Sequence, residues 1–424
     1  MSSVPSQSLG PTSKGTAQGL AALTPVAPNE RIHALDLLRG WAMFGVLWAN
    51  LNTDYGTRDP ANGMDRGLAW LQYNLISARF MALLSLLFGV GFGIQLLRAT
   101  ERGVDVRTMY YRRSVALMAI GIVHGCLVWW GDILSGYALV AFALVLFRTA
   151  SPRRILTAAI LCWFIVPEVL SRALFLAGLR YPVQSVYPTW VLAHGSWLQV
   201  APIRVTMFLD GLSLTLGAFY FWVLSLFLVG LWAVKSGYLR RVIEEPKTTR
   251  RLLFIALTAA AVGYARNLIF SKLLPSGFFF SRGTDPSVPR FWIPVQLIRR
   301  LLGWSTVGTT VACAAILLLL WQSPRIARIL RPLAATGRMA LTTYLTQSVV
   351  CTLLFYGYGL GWYGHVGFTG MFEITLVLFA CQMAASTWWL GRFRFGPVEW
   401  LWRWLTYGRA PRMRLADERA ASTG

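Results

Sequence analysis

Ten stretches of apolar sequence decide what this chain can become. They run at approximately 34–53, 76–97, 114–130, 133–148, 155–177, 211–234, 252–270, 300–321, 333–356 and 370–391. Runs of roughly 17 to 25 such residues are long enough to cross the hydrocarbon core of a bilayer as helices. A helix is also the open-chain form that satisfies every backbone N–H and C=O there. Composition agrees: 56% of residues are hydrophobic, only 13% are charged, and mean hydropathy is +0.53, outside the range of a soluble domain. The expected fold class is all-α, a polytopic membrane helix bundle with about ten transmembrane helices.

A net charge of +23 raises nucleic acid as a partner, but the positions of the basic residues oppose it. With the N-terminus inside, roughly 28 of the 40 Lys and Arg fall on the cytoplasmic side, in clusters such as "RATERGVDVRTMYYRR" and "KSGYLRRVIEEPKTTRR", the positive-inside bias. The charge therefore serves topology and contact with anionic lipid, and the expected partner is the bilayer, not nucleic acid. An even number of spans leaves both termini in the cytoplasm.

Residues 1–30 are rich in Ser, Pro, Thr, Gly and Ala, without an apolar run of signal-peptide length or a twin Arg, and read as a disordered cytoplasmic tail. Residues 31–235 form an N-terminal membrane half and 236–395 a C-terminal one. Residues 396–424, opening "GPVEWLWRWLTYG", read as an interfacial amphipathic helix with a basic tail. Pro397 suits its first turn, and Glu399 and Arg403 stand i,i+4. The five Cys lie inside spans, without CxxC or His at metal spacing, so neither a metal nor a disulfide framework is expected. Gly89 and Gly93 in "FGVGFGIQ" fit close helix approach and not a phosphate loop.

Ionisable groups inside a membrane span are costly and tend to face protein or water. In the first span, Asp36, Arg39 and Asn50 fall within about 60° of one another at 100° per residue. They make one polar stripe, along which Asp36 and Arg39 are spaced to pair. An Arg there also suits the phosphates of a cytoplasmic nucleotide, as do Arg112 and Arg113. His124 is a candidate base or proton carrier. Along a continuous helix it would stand about 12 Å from Asp132, too far for a dyad unless the helix breaks near Gly131. Asp132 is expected to cap the fourth span, and Trp129 and Trp130 place His124 near an outer vestibule. Tyr344, Gln347, Ser348 and Cys351 occupy i, i+3, i+4 and i+7 and share a face, suited to orienting a substrate or to bonding helices together. Glu168 and Arg172 read as a structural pair beside Pro167. Glu373 and Arg266 read as outer-interface residues, and His194 and His365 lie in outer segments.

With these residues in view, the chain resembles the YeiB-type family of bacterial inner-membrane proteins, whose C-terminal half is a domain of unknown function (number 418). The resemblance runs from Arg31 to Arg409 and rests on "ALDLLRGWAMFGVLWANL", "FMALLSLLFGVGFGIQ", "YRRSVALMAIGIVHGCLVWWGDILSGYAL", "GRMALTTYLTQSVV" and "GPVEWLWRWLTYG". The first span is also similar to that of heparan-type N-acetyltransferases and, more distantly, of the acyltransferase-three family. Those relatives move acyl groups from cytoplasmic acyl-CoA to acceptors across the membrane. The resemblance thus implies a transmembrane acyltransferase of the inner membrane, with acyl-CoA or acetyl-CoA as donor and a small molecule or an envelope glycan or lipid as acceptor. One departure stands out: the heparan-type catalytic His lies in the loop after the first span, and here that loop, "NTDYGTRDPANGMDRGLAWLQYN", has no His. Either His124 supplies the base or the chain is not an acyltransferase.

Two functions compete. As an enzyme, the chain would hold acyl-CoA phosphates near Asp36, Arg39, Arg112 and Arg113. Asn50, with Tyr344 or Gln347, would stabilise the oxyanion and His124 would take the acceptor's proton, with Asp132, Trp129 and Ser348 at the substrate. As a transporter or exporter of a small polar or anionic molecule, Asp36, Arg39, Glu168, Arg172 and His124 would line a path, although the two sets of five spans show no convincing internal repeat; a third reading is a non-catalytic partner protein with neither activity. Nothing in the pattern selects an acceptor, an acyl chain or an oligomeric state.

Overall fold

The first apolar stretch begins folding at Ile32, whose extended backbone leads into α1 (His33–Asp54), with Asp36 in the first turn where a carboxylate complements the helix N-terminus. The computed structural model describes residues 32–177, 187–215, 218–273 and 292–415. The expected tail at 1–30 lies outside the described residues. After α1 come α2 (Gly63–Leu71), a π turn (Gln72–Ile76), α3 (Arg79–Glu101), α4 (Val106–Leu127), α5 (Leu134–Leu144), α6 (Pro152–Phe164) and α7 (Val166–Leu176). The chain continues through α8 (Thr189–His194), α9 (Trp197–Thr215), α10 (Ala218–Lys235), α11 (Tyr238–Glu244), α12 (Pro246–Leu273) and α13 (Trp292–Trp321). It ends with α14 (Pro324–Ile329), α15 (Arg331–Arg338), α16 (Ala340–Phe355), α17 (Phe368–Leu390) and α18 (Pro397–Tyr407). Among the described residues the only β pairing is an isolated bridge between Phe393 and Arg414.

Every one of the ten apolar stretches falls chiefly on one of these helices or on a consecutive pair. By length and composition alone, however, two helical runs among the described residues are fit to cross a membrane, Gly63–Glu101 and Phe368–Leu390. A third is reached if Phe219–Lys235 and Tyr238–Glu244, bent by 74°, count as one span. The expected ten is not met on that measure: some stretches are divided, and others, such as α1 with Asp36 and Arg39 and α4 with Arg112, Arg113 and His124, are unbroken but carry polar and charged residues. Stretch 155–177 breaks between Phe164 and Val166, beside Pro167, and 333–356 breaks at Met339. The stretch at 133–148 is α5 plus a single 3-10 turn, Val145–Phe147.

Small residues set the helix spacing. A Cβ at Gly40 would sit inside the Leu333 carbonyl, and one at Gly337 inside the Asp36 carbonyl, so α1 and α15 cross backbone to backbone. The close approach expected at Gly89 and Gly93 is against α10, at Phe227 and Val234. One buried cluster joins α1 to α3, α16 and α17 through residues such as Leu38, Met43, Leu87, Phe355 and Met371. A second packs α3, α4, α5 and α10 through Phe92, Tyr110, Leu144 and Phe227. The two clusters leave a gap between α1 and the α4–α5 pair, and that gap is the site.

Candidate functional site

Asp36 and Arg39 pair at 2.8 Å, with the carboxylate buried and the guanidinium about one-third exposed. The α1–α15 crossing holds this pair against the gap. There the molecule has a cavity of about 330 Å³ whose mouth carries Arg39, Arg98, Arg113, Arg338 and Arg403. Its inner walls are apolar, with Leu87, Phe88 and Leu117, and it ends deep in the bundle at Tyr344. Such a chamber offers cationic donors for phosphate or carboxylate at one end and a hydrocarbon lining at the other. Arg113 is fixed by stacking on Trp402, 3.6 Å from the ring centroid, while the Trp402 indole N–H donates to the Arg113 carbonyl at 2.9 Å. Arg112, expected beside it, is exposed against Gly408 and lies outside the lining. A 100° step on the helix separates the neighbours.

The C-terminal helix, expected as an interfacial anchor, leaves Leu401, Trp404 and Leu405 exposed on one side and on the other is a wall of this cavity, contributing Glu399, Trp402, Arg403 and Tyr407. Glu399 turns inward. Its carboxylate accepts from the backbone N–H groups of Leu341 (2.6 Å) and Thr342 (3.0 Å) and from the Thr342 hydroxyl (2.5 Å). It thereby caps the start of α16, the helix that carries Tyr344. Burial pushes its carboxyl above the ordinary value, a rise opposed by the bonds from Thr342 and Leu341.

His124 and Asp132 meet, because the helix breaks before Gly131, the condition under which the sequence allowed them to pair. α4 ends at Leu127, the chain reverses through Val128–Gly131, and Asp132 Oδ1 returns to 3.0 Å from His124 Nδ1. Both side chains are buried, 3% and 0% exposed. Asp132 also caps α5 as expected, its Oδ2 accepting from the Ser135 N–H at 2.8 Å. With Asp132 ionised, Nδ1 carries the imidazole hydrogen, and Nε2, which is buried and has no hydrogen-bond partner among the described residues, presents its lone pair. This is the arrangement of a base oriented by a carboxylate. The imidazole packs against Tyr344, ring centroids 5.2 Å apart, and against Trp129 at 6.2 Å. Tyr344 therefore touches both the arginine-lined cavity and the dyad.

The α16 face expected from the sequence is present and buried. Tyr344, Gln347, Ser348 and Cys351 join Asn50 and Trp129 around a second cavity of about 10 Å³, one water in size. Gln347 also bonds helices together, its amide N–H donating to Gln382 Oε1 at 2.9 Å and the Met43 carbonyl at 3.4 Å. The Ser348 hydroxyl donates to the Tyr344 carbonyl at 3.3 Å, and the Tyr344 hydroxyl accepts from the Ile133 N–H at 3.3 Å. Asn50 and His124 thus share two walls, Trp129 and Tyr344, rather than one open chamber. The side chain of Arg172, the expected partner of Glu168, lies outside the described residues. Glu373 and His194 are exposed, Arg266 is half-buried, and His365 meets Arg58 at 3.3 Å, all away from the dyad. Arg98 and Arg338 were not singled out from the sequence, and Glu399 and Arg403 were read only as an i,i+4 pair. The signal available for Glu399 was a lone carboxylate in a Trp-rich turn.

The family model described as a protein of unknown function, DUF418, matches residues 233–409. Over 417 residues the chain is 33% identical to the protein YxaH of Bacillus subtilis (strain 168), an alignment covering 92% of this chain and 97% of that one. It is 28% identical over 419 residues to YeiB of Escherichia coli (strain K12), covering 89% and 96%. A 39.9 kDa protein from the amylase 3′ region of Bacillus acidopullulyticus is 28% identical over 389 residues, covering 91% and 97%. The chain belongs to the YeiB-type family that carries the DUF418 domain.

Proposed function

We propose that this protein is a multi-pass inner-membrane acyltransferase. It has ten spans and cytoplasmic termini, and it moves an acyl group from cytoplasmic acyl-CoA or acetyl-CoA to a small-molecule or envelope acceptor on the outer side. The observation that carries this reading is the position of Tyr344, which ends the arginine-lined cavity and packs on the ring of His124, whose Nδ1 is held by Asp132. The five arginines at the mouth suit the phosphates of the donor. Beyond Tyr344 lies the second cavity, about 10 Å³, which carries Asn50 and Gln347.

The chemistry follows from the dyad. An acceptor hydroxyl or amine attacks the thioester carbonyl, and His124 Nε2 takes its proton as the new C–O or C–N bond forms. Asp132 stabilises the resulting imidazolium, and the oxyanion is met by N–H or O–H donors among Asn50, Tyr344 and Gln347. The C–S bond then breaks and the proton goes to the departing thiolate. Transfer of radiolabel from acyl-CoA to envelope acceptors by the purified protein in vesicles tests this. His124→Ala is expected to lower transfer about 10²- to 10⁴-fold, and unchanged transfer in that variant rejects the assignment.

A further inference from the structure

We infer that Arg204, on α9, is a positioning residue that clamps the reversing turn after α4 and so holds Asp132 on His124. The last carbonyls of a helix have no intrahelical partner. At the end of α4 the His124 carbonyl is taken by the N–H groups of Val128 (2.9 Å) and Trp129 (3.0 Å). The Cys126 and Val128 carbonyls are taken by one guanidinium: Arg204 Nε donates to the first at 3.0 Å and Nη1 to the second at 3.4 Å. Arg204 is fully buried, and among the described residues no carboxylate pairs with it. Its charge is met by those carbonyls, at the negative end of the α4 dipole, by the Tyr358 hydroxyl and by the Trp197 ring 5.1 Å away.

A buried, unpaired guanidinium is expensive, so its place needs a reason, and the turn supplies one. Residues Val128–Gly131 must fold back so that the residue eight positions after His124 reaches its imidazole. The planar fork of an Arg binds two carbonyls in fixed relation, which an ammonium does not. One turn along α9, Phe208 packs where Gly125 has no side chain, so the same helix face grips α4 beside His124 twice. The clamp itself does not depend on which reaction the dyad serves; its catalytic consequence rests on the acyl-transfer reading.

The test uses the full chain in lipid nanodiscs with ¹⁵N-labelled histidine, which gives four imidazoles, His124 being assigned by loss of its signals in His124→Gln. In the parent protein the His124 Nδ1–H is expected as a slowly exchanging, hydrogen-bonded proton, absent in Asp132→Asn. In Arg204→Met its exchange is expected to quicken about tenfold or more, the scale of losing charge-assisted hydrogen bonds, with Arg204→Lys restoring only part of the protection. A His124 signal as protected in Arg204→Met as in the parent overturns the proposal. Where Arg204→Met is not recovered folded, Arg204→Gln replaces it, and unchanged protection there overturns the proposal equally. Radiolabel transfer on the same samples separates the two questions: no transfer by the parent rejects the acyltransferase and leaves the clamp to the exchange result. With transfer present, Arg204→Met is expected to lower kcat and leave KM for acyl-CoA unchanged.

Discussion

At Gly121 an added Cβ would lie 2.7 Å from Asp132 Oδ2 and closer still to the Ser135 amide nitrogen. Neither neighbour can retreat, since Oδ2 and that amide are bonded to each other and Oδ1 is on His124. Gly121→Ala is therefore expected to cost about 1–3 kcal/mol, as overpacking does, and to part the dyad. Asp132→Asn keeps the shape but replaces the acceptor that fixes the imidazole hydrogen on Nδ1, so transfer is expected to fall by about 10²-fold or more with the melting temperature nearly retained. Gly67→Ala is the contrasting case. A Cβ there meets nothing within 4 Å, and Ala in a helix is expected to be neutral or stabilising by up to about 1 kcal/mol. Melting curves of the three variants, with transfer measured on the same samples, check the ranking. At this scale the sequence made His124 and Asp132 legible as residues but not as a pair. Their contact depends on where α4 stops and on the turn that follows, whose carbonyls are bonded by Arg204, far along the chain, which no helical period relates to His124.

Amphipathic helices are legible from their period, and what they face is not. The 3.6-residue pattern located α18 and its aromatic side correctly, yet read Glu399 as one half of a surface pair with Arg403. The carboxylate instead caps α16, because two terminal N–H groups and a hydroxyl buried at one point require an acceptor. Glu399→Ala removes that acceptor and is expected to cost about 2–3 kcal/mol, loosening α18 from the cavity. Glu399→Gln keeps one oxygen for the N–H groups and is expected to cost less. The two also differ from the parent in pH dependence. Burial raises the Glu399 pKa above its ordinary 4.5, so between that value and the raised one the folded state binds more protons than the unfolded state. Stability from this group is then greatest below about pH 4.5 and declines as pH rises through the folded value. Thermal unfolding from pH 4 to 8 is expected to show that decline in the parent and to lack it in Glu399→Gln. An identical slope in both would mean the carboxylate is not the titrating group.

Over the whole molecule the ten apolar stretches fell on helices, and the division of two of them beside Pro167 and at Met339 did not follow from hydropathy, which averages over such breaks. Handedness relative to the membrane is a matter of charge. The two ends of the described chain meet at one place, since Ile32 before α1 and Tyr407 at the end of α18 both line the arginine-mouthed cavity. The far end is tied as firmly: the Arg58 N–H donates to the Val366 carbonyl at 3.1 Å, and Asp65 accepts from the N–H and hydroxyl of Thr369 at 3.0 and 2.6 Å. The loop after α1 and the loop after α16 therefore share a side, opposite the cavity mouth. In the proposed topology, with the basic mouth inside, both loops would lie outside the cell. Single cysteines put into a chain whose five native Cys have been replaced test this with a membrane-impermeant maleimide. In intact cells Asp59→Cys and Leu360→Cys are expected to label, whereas Arg102→Cys, in the exposed turn after α3, is expected to label only once the membrane is opened. Because the fold couples the two loops, labelling of one without the other would contradict the structure. Labelling of Arg102→Cys alone in intact cells would keep the structure and invert the orientation, and with it the side from which a donor could reach Arg39.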